Sequence, residues 1–471
     1  MDEKKRLIKN TGIIALGNIS TKMIGFLLLP LYTSVLSTEE YGTIDYITTI
    51  SMFLVPFISM LMDEAVFRFL IDCRNDEERK KILSLTTFIL LISSSVFLIG
   101  ITAILKLINY KYSLFLILYI IASLLTTMMN ALLRGLGKIQ LFAFYNFLIS
   151  SFNITLNVVF IVVFNMGVYG MLLAFILSQA ILFLVFTVWV KLWKYISIKG
   201  LQYEYAKQMI KYSVPLIPNR VSWLIINLSD RVMIMNMINS SASGLYAVSY
   251  KFPNLMDTVY GFFYQSWKES SARILQEGNE ELFYNEVYKY LKKFMYSIVI
   301  GMTAFMPFVF KILVNEQYSE ALNYVPILLL ATYFTNISGF YGGIFTAYKD
   351  TNIMGITTLV AAVINFVLNL ATICFWGLYA AAFSTLLANL VVYSYRKYKV
   401  KKYVKLNKNN KESLSAIGIT MIILVLFYSA DMRMQIIGAF LSLVYAVAEN
   451  IEILKIFQKK FMCIVGRRAD E

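Results

Sequence analysis

Long apolar segments, each followed by a short polar turn, recur along almost the whole chain. Segments of about twenty apolar residues have the length of a helix that crosses a bilayer. Fourteen such spans are predicted, at residues 12–35, 41–66, 82–105, 112–133, 139–164, 168–190, 210–236, 243–267, 291–314, 322–347, 351–375, 377–395, 413–430 and 434–454. The pattern therefore predicts an all-α integral membrane protein with about fourteen transmembrane helices.

The composition agrees with this class. The 471 residues are 59% hydrophobic and only 15% charged, whereas soluble domains carry about 25% charged residues. The largest polar segments, 191–209, 268–290 and 396–412, are too short to form a domain of their own. The first apolar run is longer than the core of a signal peptide, contains Lys22 and has no small-residue cleavage site, so we expect a retained helix.

The placement of cations predicts the orientation. If both termini are cytoplasmic, almost all Lys and Arg outside the spans fall in cytoplasmic segments, as the positive-inside rule requires. The cations left in outer turns are Lys106, Lys111, Lys311 and Arg433. We therefore predict a multi-pass protein of the cell membrane with cytoplasmic termini. Its net charge of +15 faces the cytoplasm and anionic lipid headgroups, and no nucleic-acid partner is expected.

An internal repeat relates the first six spans to the next six. An N-x-x-L-N pattern occurs at 153–157 and again at 365–369, and the second span of each copy begins near Gly42 or Gly244. Six spans are an even number, so the copies share one orientation, related by a pseudo-two-fold axis along the membrane normal. The predicted domains are an N-lobe at 1–200, a C-lobe at 201–400, and two C-terminal helices with a tail at 401–471.

Ionisable residues inside predicted spans are the strongest functional signal. A charge near the bilayer centre costs about 2.5–3.5 kcal/mol on insertion scales, so it usually faces water or a partner. In the span 210–236, Arg220, Asn227 and Arg231 share one helical face, beside Asp230. The candidate substrate-binding residues are Asn18, Lys22, Arg220, Asn227, Arg231 and Lys251. The candidate ion-coupling or gating residues are Asp45, Asp63, Glu64, Arg68, Asp230 and Asp257.

Structural interpretations of these residues stay open. Asp230 and Arg231 could form a local pair at the membrane interface. Asp63, Glu64 and Arg68 could form an ion network at the cytoplasmic boundary that locks the lobes. The Asn residues of the two N-x-x-L-N patterns are expected to make hydrogen bonds between packed helices.

Catalytic patterns are absent from the sequence. It contains no Walker lysine motif, no GxSxG, no HExxH and no histidine, and its three cysteines are far apart. We therefore expect no enzyme activity, no metal site and no bound cofactor. The energy for transport would come from a gradient of H⁺, Na⁺ or the substrate itself, or from the membrane potential.

Several motifs resemble those of Wzx-type polysaccharide-repeat flippases of the multidrug/oligosaccharidyl-lipid/polysaccharide exporter superfamily. They are Asn18-Ile-Ser through Pro30-Leu-Tyr, Glu40-Tyr-Gly-Thr, Ser213-Val-Pro-Leu-Ile-Pro218, Ser229-Asp-Arg-Val232 and Gly244-Leu-Tyr-Ala-Val-Ser-Tyr-Lys251. The resemblance implies alternating-access transfer of an undecaprenyl-pyrophosphate-linked oligosaccharide to the outer leaflet, with H⁺ or Na⁺ coupling. It also implies membrane lipids, a polysaccharide polymerase and glycosyltransferases as partners.

The buried cations fit that implied cargo. Lys22, Arg220, Arg231 and Lys251 would pair with the pyrophosphate, while acids such as Asp45 would balance the empty cavity. A cation-coupled multidrug antiporter is the first alternative, but organic cations call for an acidic cavity. A membrane polysaccharide polymerase or glycosyltransferase is the second, and it would usually need a large outward loop or outward catalytic acids.

Overall fold

The computed structural model describes residues 26, 28–73, 75–196, 202–277, 280–350, 352–406, 410–429 and 431–469. Helices dominate these residues, and no strand occurs among them. The α-helices are α1 Leu29–Val35, α2 Thr38–Ile58, α3 Met62–Asp72, α4 Asp76–Leu107, α5 Ser113–Gly135, α6 Ile139–Asn157, α7 Gly167–Val190, α8 Tyr203–Ser213, α9 Ile217–Met237, α10 Ser240–Glu277, α11 Glu280–Leu313, α12 Val325–Ala347, α13 Asn352–Trp376, α14 Leu378–Val400, α15 Asn410–Tyr428 and α16 Met432–Ala469.

Ten helical segments of the described chain are long and apolar enough to cross a membrane. Many of their apolar side chains are exposed, as lipid-facing side chains would be; on α16 these include Ile437, Phe440 and Val444. The predicted all-α, multi-pass membrane class is therefore confirmed. The count of fourteen spans stays a prediction. Most of the predicted span 12–35 lies outside the described residues, the apolar segment Ser415–Tyr428 is shorter than a span, and α9 and α10 carry polar residues.

The chain forms two compact units that divide between Gly244 and Leu245, inside α10. The core of the first unit is built from buried residues of several helices, such as Met62 of α3, Leu133 of α5 and Phe186 of α7. In the second unit α12 is largely buried and packs against α14. The predicted lobes 1–200 and 201–400, and the C-terminal domain 401–471, stay a prediction.

The predicted span 41–66 is interrupted in the structure. Helix α2 ends at Ile58, and α3 begins at Met62. Between them Met60 and Leu61 have φ of 49° and 50°, in the left-handed region that non-glycine residues rarely adopt. The hydroxyl of Ser59 accepts a hydrogen bond from the backbone N–H of Leu61 at 3.1 Å. This bend starts a new helix whose first turn carries two acids.

The two N-x-x-L-N patterns make equivalent contacts, one in each unit. Asn153 of α6 donates to the Ser178 hydroxyl of α7 at 3.3 Å, and Asn365 of α13 donates to the Thr385 hydroxyl of α14 at 3.1 Å. Each first asparagine thus bonds to a hydroxyl group on the following helix. The predicted packing role of these asparagines is confirmed.

Polar contacts fasten α16 to α11 in the second unit. Lys293 pairs with Glu449 at 3.0 Å and Lys289 with Glu452 at 2.8 Å. Close by, the Asn450 amide donates to the hydroxyl of Ser297 at 2.8 Å. The last helix is therefore held by charged and neutral pairs in addition to its apolar side chains.

Candidate functional site

Helices α2 and α9 pack against each other in the first unit, and a shielded ion pair joins them. Nη1 of Arg231 donates to Oδ1 of Asp45 at 2.7 Å. Only 16% of the arginine side chain and 12% of the aspartate side chain are exposed. Because water is largely excluded from both groups, each charge depends on its protein partners for stabilisation.

A second acid and base interact between α3 and α9. Burial and the neighbouring Glu64 raise the pKa of Asp63 to about 6, and the charge of Arg220 acts in the opposite direction. Asp63 lies at the start of α3, beyond the end of the apolar span. Three turns of α9 separate Arg220 from Arg231, about 16 Å along the axis. Cations of α9 therefore interact with acids of α2 and α3 at two positions along the axis of α9.

The first turns of α2 and α10 touch through their backbones. A Cβ atom added to Gly42 would lie 1.8 Å from the carbonyl oxygen of Ser240, and one added to Gly244 would lie 2.0 Å from the carbonyl oxygen of Thr38. The hydroxyl groups of Thr38 and Ser241 form a hydrogen bond beside them. We call these five residues the glycine contact. Only glycine allows helix backbones to approach so closely.

The glycine contact is reciprocal. A shift of 202 positions (244 minus 42, and 240 minus 38) converts Gly42 into Gly244 and Thr38 into Ser240. Gly42 meets Ser240 while Gly244 meets Thr38, so the same shift exchanges the two close approaches. The internal repeat and its pseudo-two-fold axis stay predictions.

The second unit presents a polar stripe on α10. Asn254 and Asp257 are exposed, Lys251 and Thr258 are half-buried, and a side chain at Gly261 would meet open space. The Thr258 hydroxyl donates to the carbonyl of Asn254 along the helix. Exposed amide and carboxylate groups on a helix within the membrane are expected to face water rather than lipid.

The other predicted site residues have different surroundings. Asp230 is buried, whereas Arg220, Glu64 and Arg68 are exposed. Asn18 and Lys22 lie outside the described residues. The same holds for the side chain of Asn227, whose backbone belongs to α9. The structure thus pairs Arg231 with Asp45, a contact that the sequence had not specified.

Sequence reasoning missed Arg396. It assigned this residue to a cytoplasmic segment after a span ending at 395, but α14 continues to Val400 and buries Arg396 to 8% exposure. The predicted end of that span is therefore wrong. A span predicted from hydropathy ends at the first cation. In the structure, however, Val392, Arg396 and Val400 lie on one helical face and are all buried.

No group of three or more His, Cys, Asp or Glu side chains that could hold a metal ion occurs in the described part of the chain. Helix packing, the shielded ion pair, the reciprocal glycine contact and the polar stripe together indicate the class of multi-pass membrane transporters.

Solved structures share this fold. The chain is similar to a structure of the lipid II flippase MurJ in an inward closed conformation, with a TM-score of 0.68 and 14% identity, covering 95% of this chain and 100% of that one. It is also similar to an inward-facing multidrug resistance MATE transporter of the MOP superfamily, with a TM-score of 0.67 and 14% identity, covering 82% and 98%. A MOP superfamily transporter from Pyrococcus furiosus gives a TM-score of 0.54 at 14% identity, covering 85% and 96%.

The family follows from the sequence. A model of the family described as "Polysaccharide biosynthesis protein" matches residues 7–267, and the chain belongs to this family. A search of curated protein sequences finds no significant match. The family resemblance predicted from the motifs is therefore confirmed, and the similar structures establish the transporter fold.

Proposed function

We propose that the chain is a flippase that moves an undecaprenyl-pyrophosphate-linked oligosaccharide across the cell membrane by alternating access. The family supports a role in polysaccharide biosynthesis, and the transporter fold supports translocation. One observation carries the proposal for an anionic cargo. Arg231, on a helix of the membrane domain, is shielded from water and needs an anion beside it, which Asp45 supplies in this conformation.

The pyrophosphate of the cargo takes the place of Asp45 in the transport cycle. An arginine guanidinium binds carboxylate and phosphate oxygens with the same planar fork of donors. When α2 and α9 separate, Arg231 loses its carboxylate and becomes available to the cargo. Arg220 is exposed in this conformation and lies about 16 Å away on the same helix, so it contacts the pyrophosphate first.

The glycine contact closes the outer side of the pathway. The positive-inside rule places both termini in the cytoplasm, and α2 then begins at the outer face. The glycine contact and the Arg231–Asp45 pair lie towards that face, and the Asp63–Arg220 pair lies towards the cytoplasm. Proton or sodium binding to Asp45, Asp230 or Asp257 neutralises these acids, and at Asp45 it weakens the ion pair with Arg231 and so favours the separation of α2 from α9.

A second candidate is a cation-coupled multidrug antiporter. Its support is the exposed carboxylate of Asp257, together with the likeness to a MATE transporter. A cavity for organic cations would expose acids and bury its arginines away from the pathway. The exposed guanidinium of Arg220 favours the anionic cargo instead.

An assay with purified protein in liposomes distinguishes the flippase from the antiporter. The assay measures the transfer of a fluorescent undecaprenyl-pyrophosphate-linked oligosaccharide between leaflets, and in parallel the uptake of an organic cation. We expect Arg220→Ala to insert normally and to lose most of its lipid transfer. Arg433→Ala, which removes an exposed cation from a predicted outer turn, is the matched control. Wild-type lipid transfer by Arg220→Ala would refute the role of this arginine, and cation uptake without lipid transfer would establish the antiporter.

A further inference from the structure

Arg396 is a buried cation whose hydrogen-bond partners, among the residues that the structure describes, are neutral. Its guanidinium donates to the Thr357 hydroxyl at 2.9 Å, the Ser338 carbonyl at 3.1 Å, and the Met354 carbonyl and Thr358 hydroxyl at 3.3 Å each. These contacts hold α12, α13 and α14 together. They supply no negative charge, so the positive charge of Arg396 stays uncompensated in a site from which water is largely excluded.

Two tyrosines of α10 approach the same part of α12. The Tyr260 hydroxyl lies 2.5 Å from the position of a Cβ atom on Gly339, the residue that follows the Ser338 carbonyl bound by Arg396. One helical turn further along α10, the Tyr264 hydroxyl lies 3.7 Å from the corresponding position on Gly342. The charge of Arg396 acts on both hydroxyl groups, and the exposed carboxylate of Asp257 also acts on that of Tyr260. The guanidinium and the two hydroxyls therefore converge on one region of the second unit.

The hydroxyl of Tyr260 is a free hydrogen-bonding group. Its side chain is 7% exposed, and its oxygen has no hydrogen-bond partner in the described part of the chain. A buried hydroxyl without a partner loses the bonds it made to water, at a cost of about 1–3 kcal/mol. A ligand with strong acceptor oxygens would recover that loss.

A row of packed side chains on α10 connects Tyr260 with the protein surface. Lys268 is exposed and its Nζ lies 5.7 Å from the centroid of the Tyr264 ring. Tyr264 is half-buried and stacks on Tyr260 with 5.8 Å between ring centroids. Positive charge is thus present at both ends of this row, at Lys268 on the surface and at Arg396 inside.

We propose that Tyr260, Tyr264 and Arg396 form a binding site for a phosphate or diphosphate group in the second unit. The tyrosine hydroxyls donate hydrogen bonds to the phosphate oxygens, and the field of Arg396 balances their charge. Lys268 attracts the anion at the protein surface. The Arg231–Asp45 pair belongs to the other unit and takes no part in this site.

The physiological source of the phosphate rests on the proposed function. A lipid-linked diphosphate is the cargo of the flippase, whereas inorganic diphosphate presents the same group without a lipid. Both present the same oxygens to Tyr260. The two sources differ in the isoprenyl chain, which the experiment can supply or omit.

Calorimetric titration of the purified full-length protein tests the site. The probes are inorganic pyrophosphate and farnesyl diphosphate, each at several salt concentrations. We expect the wild type to bind, and Tyr260→Phe to bind about 10-fold or more weakly because one hydrogen bond to a charged group is lost. This variant removes only a hydroxyl without a partner, so its thermal stability should match the wild type. Tyr145→Phe, at a buried tyrosine of the first unit, is the matched control and should bind normally.

Two further variants separate binding from folding. Tyr264→Phe should also weaken binding, and Arg396→Lys, which keeps the charge, should bind better than Arg396→Gln. Thermal unfolding of each variant identifies any loss caused by misfolding. Binding of farnesyl diphosphate alone assigns the site to the lipid-linked source, and equal binding of both probes assigns it to the diphosphate group itself.

The outcomes distinguish this site from the flippase proposal. Wild-type affinity in both Tyr260→Phe and Tyr264→Phe would overturn the site, as would a wild-type protein that binds neither probe. A protein that binds pyrophosphate through Tyr260 but transfers no lipid would retain the site and refute the flippase. A protein that transfers lipid but binds diphosphate equally well with and without the Tyr260 hydroxyl would support the flippase and refute the site.

Discussion

Arg231 of α9 and Asp45 of α2 form a shielded ion pair with 2.7 Å between Nη1 and Oδ1. The sequence placed these residues in different roles, one as a ligand for the cargo and the other as a coupling or gating acid. Their contact joins the two roles, since the group that binds the cargo anion is occupied by the acid while the helices are together. Separation of α2 from α9 and exposure of a binding cation become one event.

Breaking this pair should destabilise the protein. Asp45→Asn or Arg231→Gln leaves one charge without its partner, and we expect a loss of about 3–5 kcal/mol. The double charge exchange, Asp45→Arg with Arg231→Asp, should recover much of that loss. Thermal unfolding of purified protein measures each step.

The control for this prediction is the exposed pair of Asp76 and Arg79, whose side chains are 69% and 37% exposed. The same charge exchange there should change stability by about 0–1 kcal/mol because water already solvates both groups. Equal losses of stability at the two pairs would mean that the Arg231–Asp45 pair contributes no more to stability than an exposed ion pair.

A disulfide across the glycine contact should stop transport. Thr38 and Ser241 are joined by a hydrogen bond, so cysteines at both positions lie close enough to be oxidised. The native cysteines, Cys73, Cys374 and Cys463, are first replaced by serine. We expect oxidation to abolish lipid transfer and a reductant to restore it, as followed in the liposome assay.

Single cysteines at either position should transport normally under oxidising conditions. A cross-linked protein that still transfers lipid at the wild-type rate would show that α2 and α10 need not separate during transport.

Alanine at Gly42 should open the glycine contact. Its Cβ atom would overlap the Ser240 carbonyl oxygen at 1.8 Å, and neither helix backbone can yield locally. We expect disulfide formation between cysteines at 38 and 241 to fall strongly in Gly42→Ala. The matched control is Gly100→Ala in α4, where a side chain would meet open space. Unchanged cross-linking in Gly42→Ala would contradict the backbone contact.

The carboxyl group of Asp63 should make stability depend on pH. Burial raises its pKa from 3.8 to about 6, so the folded protein binds this proton more tightly than the unfolded chain. Stability from this group is then present below about pH 4 and falls as the pH rises to about 6. Asp63→Asn should remove that part of the pH dependence. Unfolding midpoints from pH 4 to pH 7 provide the measurement.

Arg220 supplies an internal check on this effect. Its charge lowers the pKa of Asp63, so Arg220→Ala should shift the loss of stability to higher pH. A pH profile that is identical in the wild type and in Asp63→Asn would exclude a role for this carboxyl group.

Much of the fold could be predicted because a long apolar segment has few possible structures other than a transmembrane helix. The ends of the predicted spans 112–133 and 168–190 lie within two residues of the ends of the helices Ser113–Gly135 and Gly167–Val190. The break near Met60 could not be predicted, since left-handed backbone at Met and Leu follows from tertiary packing and not from local propensity.

The sequence predicted which residues belong to the candidate site, but not which of them contact each other. Charges within apolar spans identified Asp45 and Arg231, because such residues are costly unless they have a partner. Their contact spans 186 positions of sequence, which no local pattern reports. Arg396 was missed because a cation next to other cations resembles the end of a span, and only tertiary structure shows that its partners lie on two other helices.

The attachment of α16 to α11 constrains how this chain can be shortened. Lys293 and Lys289 use Glu449 and Glu452 as counter-ions, and Ser297 accepts from Asn450. A truncated protein that ends before Met432 would leave two ammonium groups and a hydroxyl without these partners on the surface of α11. Water would solvate Lys289, which is already 41% exposed, so such a variant would need an apolar replacement chiefly at position 293, where the lysine is 18% exposed.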